Sequence, residues 1–266
     1  MTKIIAIANQ KGGVGKTTTS INLAASLARA GRNVLLIDLD PQGNATMGSG
    51  LEKTELECSI YDLLTAQAEF SEVVAFADEA GYEILPANAD LTAAEVALLQ
   101  QDEKELILKK VLEENKDQFE FILIDCPPSL NMLTVNALVA ADSVMIPMQC
   151  EYYALEGLTA LSETIQAIAA RFNPNLEIEG ILRTMYDPRN RLTLDVSEQL
   201  KEYFGDKVYR TVIPRNIRLA EAPSYGLPVM VYDKASRGAL AYIALAGEIL
   251  RQYAVKGSPA DNLVGN

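Results

Sequence analysis

A glycine-rich loop set between an apolar strand and a helix constrains this chain more than any other feature. Residues 4–8 are a short β-prone apolar run, and Asn9-Gln10-Lys11-Gly12-Gly13-Val14-Gly15-Lys16-Thr17-Thr18 follows it directly. Over 18–30, Ile21, Leu23, Ala24, Leu27 and Ala28 recur at helical spacing, and Gly31 stands where a left-handed C-cap is wanted. Glycines let backbone N–H groups turn inward and the helix start adds its dipole, so strand, loop and helix together form a nest for phosphate. Within that nest Lys16 can neutralise the outer phosphates of a nucleotide and the Thr17 hydroxyl can ligate Mg²⁺. A plain glycine turn would account for the glycines, but not for Gly-Lys-Thr-Thr at the mouth of a helix.

A strand, loop and helix at the start imply an alternating chain, and the remainder repeats that alternation. Apolar β-prone runs are predicted as strands at 3–9, 33–38, 83–86, 119–125, 143–147, 178–186, 208–214 and 229–232. Helical patterns lie between them, with 91–115 and 154–171 the longest. Val34-Leu35-Leu36-Ile37 and Phe121-Ile122-Leu123-Ile124 are apolar without alternation, as strands covered on both faces must be. The expected fold is therefore α/β, a mostly parallel central sheet with helices on both faces. At 266 residues the chain is long enough for one large core and short for two, so a single domain is expected over 1–254. Residues 255–266 are polar with Gly and Pro, and are expected to be a disordered tail.

Composition narrows the chemistry. Histidine is absent and Cys58, Cys126 and Cys150 are far apart, so zinc sites and structural disulfides are not expected, and a triad hydrolase lacks its usual base. Buried structural thiols are the expected state of Cys126 and Cys150. No apolar run approaches the roughly 20 residues of a spanning helix, and the chain enters a strand pattern at once, so a cytoplasmic protein is expected. The net charge of −13 is unevenly placed. Residues 1–170 hold 10 Lys and Arg against 25 Asp and Glu, whereas 171–266 hold 13 against 11. Binding to nucleic acid needs a local basic patch rather than a basic chain, and only the second part can carry one.

The loop departs from the common G-x-x-x-x-G-K-[ST] spacing, which would place glycine where Gln10 stands. It has instead a second lysine at its start, Lys11-Gly12-Gly13-Val14-Gly15-Lys16-Thr17. This resembles the deviant Walker A signature of the ParA/MinD family of P-loop NTPases. The resemblance implies that Lys11 reaches across a two-fold interface to a partner's phosphates, so that two chains must meet before the charge on ATP is compensated. It extends along the chain from residue 3 to about 250. Leu35-Leu36-Ile37-Asp38-Leu39-Asp40-Pro41 is similar to the family's second motif, which implies that Asp40 polarises the attacking water and that Asp38 has a supporting role near Mg²⁺ or the loop lysines. Both aspartates can face one crevice if strand geometry persists through Asp40. Phe121-Ile122-Leu123-Ile124-Asp125 followed by Pro127-Pro128 looks like a Walker B motif, with Asp125 holding Mg²⁺ through water.

Farther on, Val212-Ile213-Pro214-Arg215-Asn216 resembles the family segment that lies against adenine, which makes Pro214 and Asn216 base-contact candidates. Gln149-Cys150-Glu151-Tyr152-Tyr153 is similar to a segment that faces the partner in the family's dimer. Arg189, Arg218 and Arg251 are the candidates for contact with DNA. The resemblance as a whole implies an ATPase, with ATP and Mg²⁺ as cofactors. It implies a homodimer with ATP sandwiched at its interface that binds double-stranded DNA without sequence preference at the nucleoid. A ParB-like partner would stimulate hydrolysis and release, in the service of chromosome partitioning. Related readings are a carrier of a plasmid or protein cargo, a MinD-like ATPase of the membrane surface, for which residues 255–266 lack the amphipathic basic helix, and a metabolic P-loop ligase or iron protein.

Overall fold

The computed structural model describes residues 2–256. Its centre is an eight-stranded sheet made of β1 (Lys3–Ile7), β2 (Val34–Asp38), β3 (Ala75–Ala77), β4 (Tyr82–Leu85), β5 (Phe121–Asp125), β6 (Ser143–Gln149), β7 (Glu177–Tyr186) and β8 (Val208–Pro214). The strands lie in the order β3-β4-β2-β5-β1-β6-β7-β8, and all pair in parallel except β3, which runs antiparallel to β4.

The unbroken apolar runs serve two cores at once. Ile4 and Ala6, Leu35 and Ile37, Ile122 and Ile124, and Val144 and Ile146 face a cluster with the helices Leu91–Leu99, Ile107–Asn115, Met132–Ala140, Ala154–Arg171 and Arg191–Phe204. Their neighbours Ile5 and Ile7, Val34 and Leu36, Phe121 and Leu123, and Met145 face the other cluster, with the helices Lys16–Arg29 and Arg237–Lys256. Successive strand side chains point to opposite faces, so a strand inside both clusters leaves polar residues only its ends, where Asp38, Asp125 and Ser143 stand.

The register sets where the site forms. Ile7 of β1 pairs with Asp125, and Asp125 pairs with Asp38, so the carboxyl ends of β1, β5 and β2 finish level. From β1 the chain crosses to β2 on one side of the sheet, and from β5 it crosses to β6 on the other. The crevice between those departures is where ligands of open parallel sheets sit.

Four expectations need correction. Residues 229–232 form a helical turn, Val229–Tyr232, because the Val229 N–H goes to Asn22 Oδ1 at 2.7 Å and the Pro228 carbonyl accepts from Val231 and Tyr232. The strand β3 went unforeseen, since Ala-Phe-Ala carries little β signal. The helix expected over 91–115 is two, broken at 100–106 where Glu103 takes a positive φ of 51°. Asn136 stabilises the break, its amide donating to the Lys104 carbonyl and its oxygen accepting from the Leu108 N–H. The last helix runs on to Lys256. The tail expected over 255–266 therefore starts as helix, and from residue 257 it lies outside the described residues.

Candidate functional site

The loop 9–15 takes the shape its glycines allow. Gly13 and Gly15 are left-handed, with φ of 71° and 88°, and Gly15 caps the helix Lys16–Arg29. Strand ends hold it from outside. The Thr184 hydroxyl donates to the Val14 carbonyl at 2.7 Å, the Gln149 amide to the Gly13 carbonyl at 3.2 Å, and Asn9 Nδ2 to the Pro147 carbonyl at 2.8 Å.

Lys16 is buried, 7% exposed, and the hydrogen bond recorded for its ammonium is a long one of 3.5 Å to the Lys11 carbonyl. Burial pulls its pKa below the usual lysine value, and the nearby Asp125, Cys126 and Asp40 oppose that pull. A buried ammonium so poorly satisfied calls for an anion. Beside it, the Thr17 and Ser20 hydroxyls each donate to one oxygen of Asp125 at 2.8 Å. Asp125 is fully buried, and its carboxyl is raised well above the carboxylate range by burial and then by Asp38. Two buried, mutually repelling carboxylates beside hydroxyls favour a cation, which restores their charged form. Thr17 and Asp125 are the groups that could hold a hydrated Mg²⁺ against phosphates, since Mg²⁺ keeps most of its waters and needs few protein ligands.

Asp38 and Asp40 part company. β2 ends at Asp38, so the strand geometry that would aim both into one crevice does not persist. Asp38, fully buried and raised by that burial, has both oxygens occupied within the protein. Its Oδ2 accepts from the Thr46 N–H and hydroxyl, each at 2.8 Å, and its Oδ1 accepts from the Asp40 N–H at 3.1 Å. These bonds shape the loop 39–46. Asp40 is partly exposed, and its Oδ1 accepts from the Gln42 N–H at 2.9 Å. Lys11 turns away from its own loop to pair with Glu151 Oε2 at 2.5 Å, both side chains about half exposed.

Comparison with known proteins decides which family such a loop belongs to. Residues 2–178 match the AAA domain family. The chain is 53% identical to the Bacillus subtilis sporulation initiation inhibitor protein Soj, covering 94% of this chain and 98% of that one. It is 48% identical to the Caulobacter vibrioides chromosome partitioning protein ParA, covering 93% and 94%. The chain belongs to the ParA/Soj family of partitioning ATPases. Among solved structures, cobyrinic acid a,c-diamide synthase from Mycobacterium smegmatis, with bound ADP and magnesium, superposes with a TM-score of 0.84 at 38% identity, covering 96% of each chain.

The remaining ParA/Soj candidates are spread more widely. Pro214 ends β8 opposite Tyr186, and Asn216 caps the helix Ile217–Glu221, its Oδ1 accepting from the Arg218 N–H at 2.9 Å. Arg189 makes a two-pronged bond to Asp187, at 2.9 and 2.8 Å, and holds that carboxyl down at about 2. Arg218 is shared between Glu221 at 2.7 Å and Asp233 at 3.3 Å. Arg251 is exposed and lines a cleft of about 1360 Å³ together with Arg183, Lys201, Lys207 and Arg210. Of the cleft's carboxylates, Glu179 is taken up by Lys3, Ser143 and Tyr253, Glu248 by the Arg210 and Thr211 N–H groups, and Asp206 is exposed. Cys126 and Cys150 are both buried in the apolar cluster, and burial pushes Cys150 up to about 11. Sequence reasoning missed Ser20, although it lies one helical turn after Thr17. It also missed Thr46 and Thr184, for which no local signal existed.

Proposed function

We propose that this chain is an ATP-driven switch for chromosome partitioning. ATP joins two chains in a sandwich, the dimer holds duplex DNA without sequence preference, and hydrolysis stimulated by a ParB-like partner lets go. The observation that carries the reading is the buried, under-satisfied Lys16 ammonium at a helix start, beside a Thr17–Asp125 pair suited to Mg²⁺. Bound there, Mg²⁺ would supply charge compensation on the β- and γ-phosphates. The rest falls to the chain. Loop amides and Lys16 bind phosphate, and Thr17, supported by Ser20 and Asp125, orients the metal side. Asp40, whose Oδ2 is the oxygen not spent on Gln42, holds the attacking water. Pro214 and Asn216 flank the base.

Lys11 acts in trans. Its pair with Glu151 is a surface one, of the kind worth about 0–1 kcal/mol, so the ammonium can be exchanged for a partner's phosphate. DNA meets the second part of the chain, where Arg251, Lys201 and Arg210 line one cleft and two of its carboxylates, Glu179 and Glu248, are already engaged. Arg189 and Arg218 must exchange their carboxylate partners for phosphate, a trade made more readily at low salt. A dimer doubles every such contact. The same switch would serve a plasmid or protein cargo. No helix among the described residues is long and apolar enough to cross a membrane.

Sedimentation velocity tests the switch. With ATP and Mg²⁺, the Asp40→Ala chain is expected to sediment as a dimer and Lys11→Ala as a monomer, while both remain monomers with ADP. Dimerisation of Lys11→Ala equal to that of the unaltered chain would remove the trans role. The metabolic reading draws on the similarity to the M. smegmatis synthase. Product formation from cobyrinic acid, ATP and an amide donor would support that reading instead.

A further inference from the structure

The turn that carries Asp40 is held by a side chain that no motif includes. Gln42 is gripped from both sides: its N–H donates to Asp40 Oδ1 at 2.9 Å, and its carbonyl accepts from the Lys53 ammonium at 2.6 Å. Asp40 is tied in turn by its own backbone, with its N–H on Asp38 Oδ1 at 3.1 Å and its carbonyl accepting from Gly43 N at 2.8 Å. Gly43 follows at a φ of 62°, and a Cβ there would stand 2.9 Å from Lys53 Cδ and 2.8 Å from the Ala87 carbonyl. The lysine stem therefore lies flat on the turn while its head reaches the Gln42 carbonyl. Lys53 is half-buried and its ammonium bonds a carbonyl, so its charge serves the turn's geometry.

From this geometry we infer that Lys53 is a positioning residue for hydrolysis, acting through Gln42 to fix the Asp40 carboxylate. The inference rests on the reading of Asp40 given above. With Gln42 fixed, Oδ1 of Asp40 is anchored and Oδ2 keeps one direction in which to accept from water. With Lys53 shortened or made apolar, Gln42 is free to rotate and Asp40 samples several rotamers. A carboxylate misplaced by a fraction of an ångström weakens water activation while leaving phosphate binding at Lys16 and Thr17 intact. The signature is a loss confined to the chemical step.

The test is single-turnover hydrolysis on the full chain with saturating ATP and Mg²⁺, with ATP affinity measured separately, for Lys53→Met, Lys53→Arg, Asp40→Ala and the Lys53→Met/Asp40→Ala double variant. Lys53→Met is expected to lower the rate about tenfold with ATP affinity within about twofold. Lys53→Arg, which can still donate to the carbonyl, restores about half of the lost rate or more. The double variant should be no slower than Asp40→Ala alone, because the lysine acts only through that aspartate. Lys53→Met at the full rate while Asp40→Ala is slow overturns the inference and leaves the Asp40 reading standing, as does a double variant slower than Asp40→Ala. An Asp40→Ala chain as fast as the unaltered one overturns both.

Discussion

Thr46 offers the sharpest structural perturbation, because one hydroxyl joins three segments. It is fully buried, donates to Asp38 Oδ2 at 2.8 Å and accepts from the Ala87 N–H at 2.9 Å. Thr46→Val keeps the shape and removes both bonds. Losing a hydrogen bond to a charged group costs about 1.5–3 kcal/mol, and leaving a buried N–H unpaired costs about 1–3 kcal/mol, so about 2.5–6 kcal/mol is expected in all. For a chain of this size each kcal/mol moves the melting midpoint by about 2–4 °C, which makes the shift about 5–24 °C. Thr46→Ser keeps the hydroxyl and loses a methyl, at about 1 kcal/mol. Urea unfolding without nucleotide, for the unaltered chain and both variants, reads the difference. A Thr46→Val chain within about 1 kcal/mol of the unaltered one, or equal to Thr46→Ser, would refute the role given to this hydroxyl.

Two further outcomes follow from the site. Ser20→Ala strips one donor from the buried Asp125 carboxylate, and titration calorimetry should show ATP·Mg²⁺ affinity about tenfold weaker, as for other residues that support a metal ligand. Cys126 and Cys150 are buried whereas Cys58 is partly exposed, so a thiol reagent should modify the folded chain at Cys58 alone, slowly because its thiol is also raised, and all three cysteines after unfolding.

The sequence disclosed the centre of this molecule better than its edges, for physical reasons. Strands β1, β2 and β5 are buried on both faces, so their apolar runs are long and unmistakable, and the loop after β1 can hardly be anything but an anion nest. Lys16, Thr17 and Asp125 were accordingly legible, and the structure brings them together. The edge strand β3, with only Ala-Phe-Ala, left no such trace, and 229–232 read as a strand because its β-branched composition outweighed Pro228 and the side-chain acceptor Asn22, which lies 207 residues away. Asp38 shows the same limit at the site. Its place at the end of a strand pointed to a carboxylate near the metal, and spacing gave no sign that its Oδ2 accepts from Thr46 and its Oδ1 from the Asp40 N–H. Lys53, Thr46 and Thr184 act by touching backbone carbonyls, carboxylates or amides of distant segments, which spacing does not encode.

The central claim is that nucleotide state governs a grip on DNA. Its most direct test is binding to non-specific duplex with ATP, ADP or no nucleotide, across a range of salt, for the unaltered chain, Asp40→Ala, Arg189→Glu and Arg251→Glu. The account predicts binding with ATP only, persistence in Asp40→Ala, weakening in both charge-reversed chains, and a steep fall with salt. Absence of binding with ATP at low salt, even when Asp40→Ala blocks hydrolysis, would contradict it.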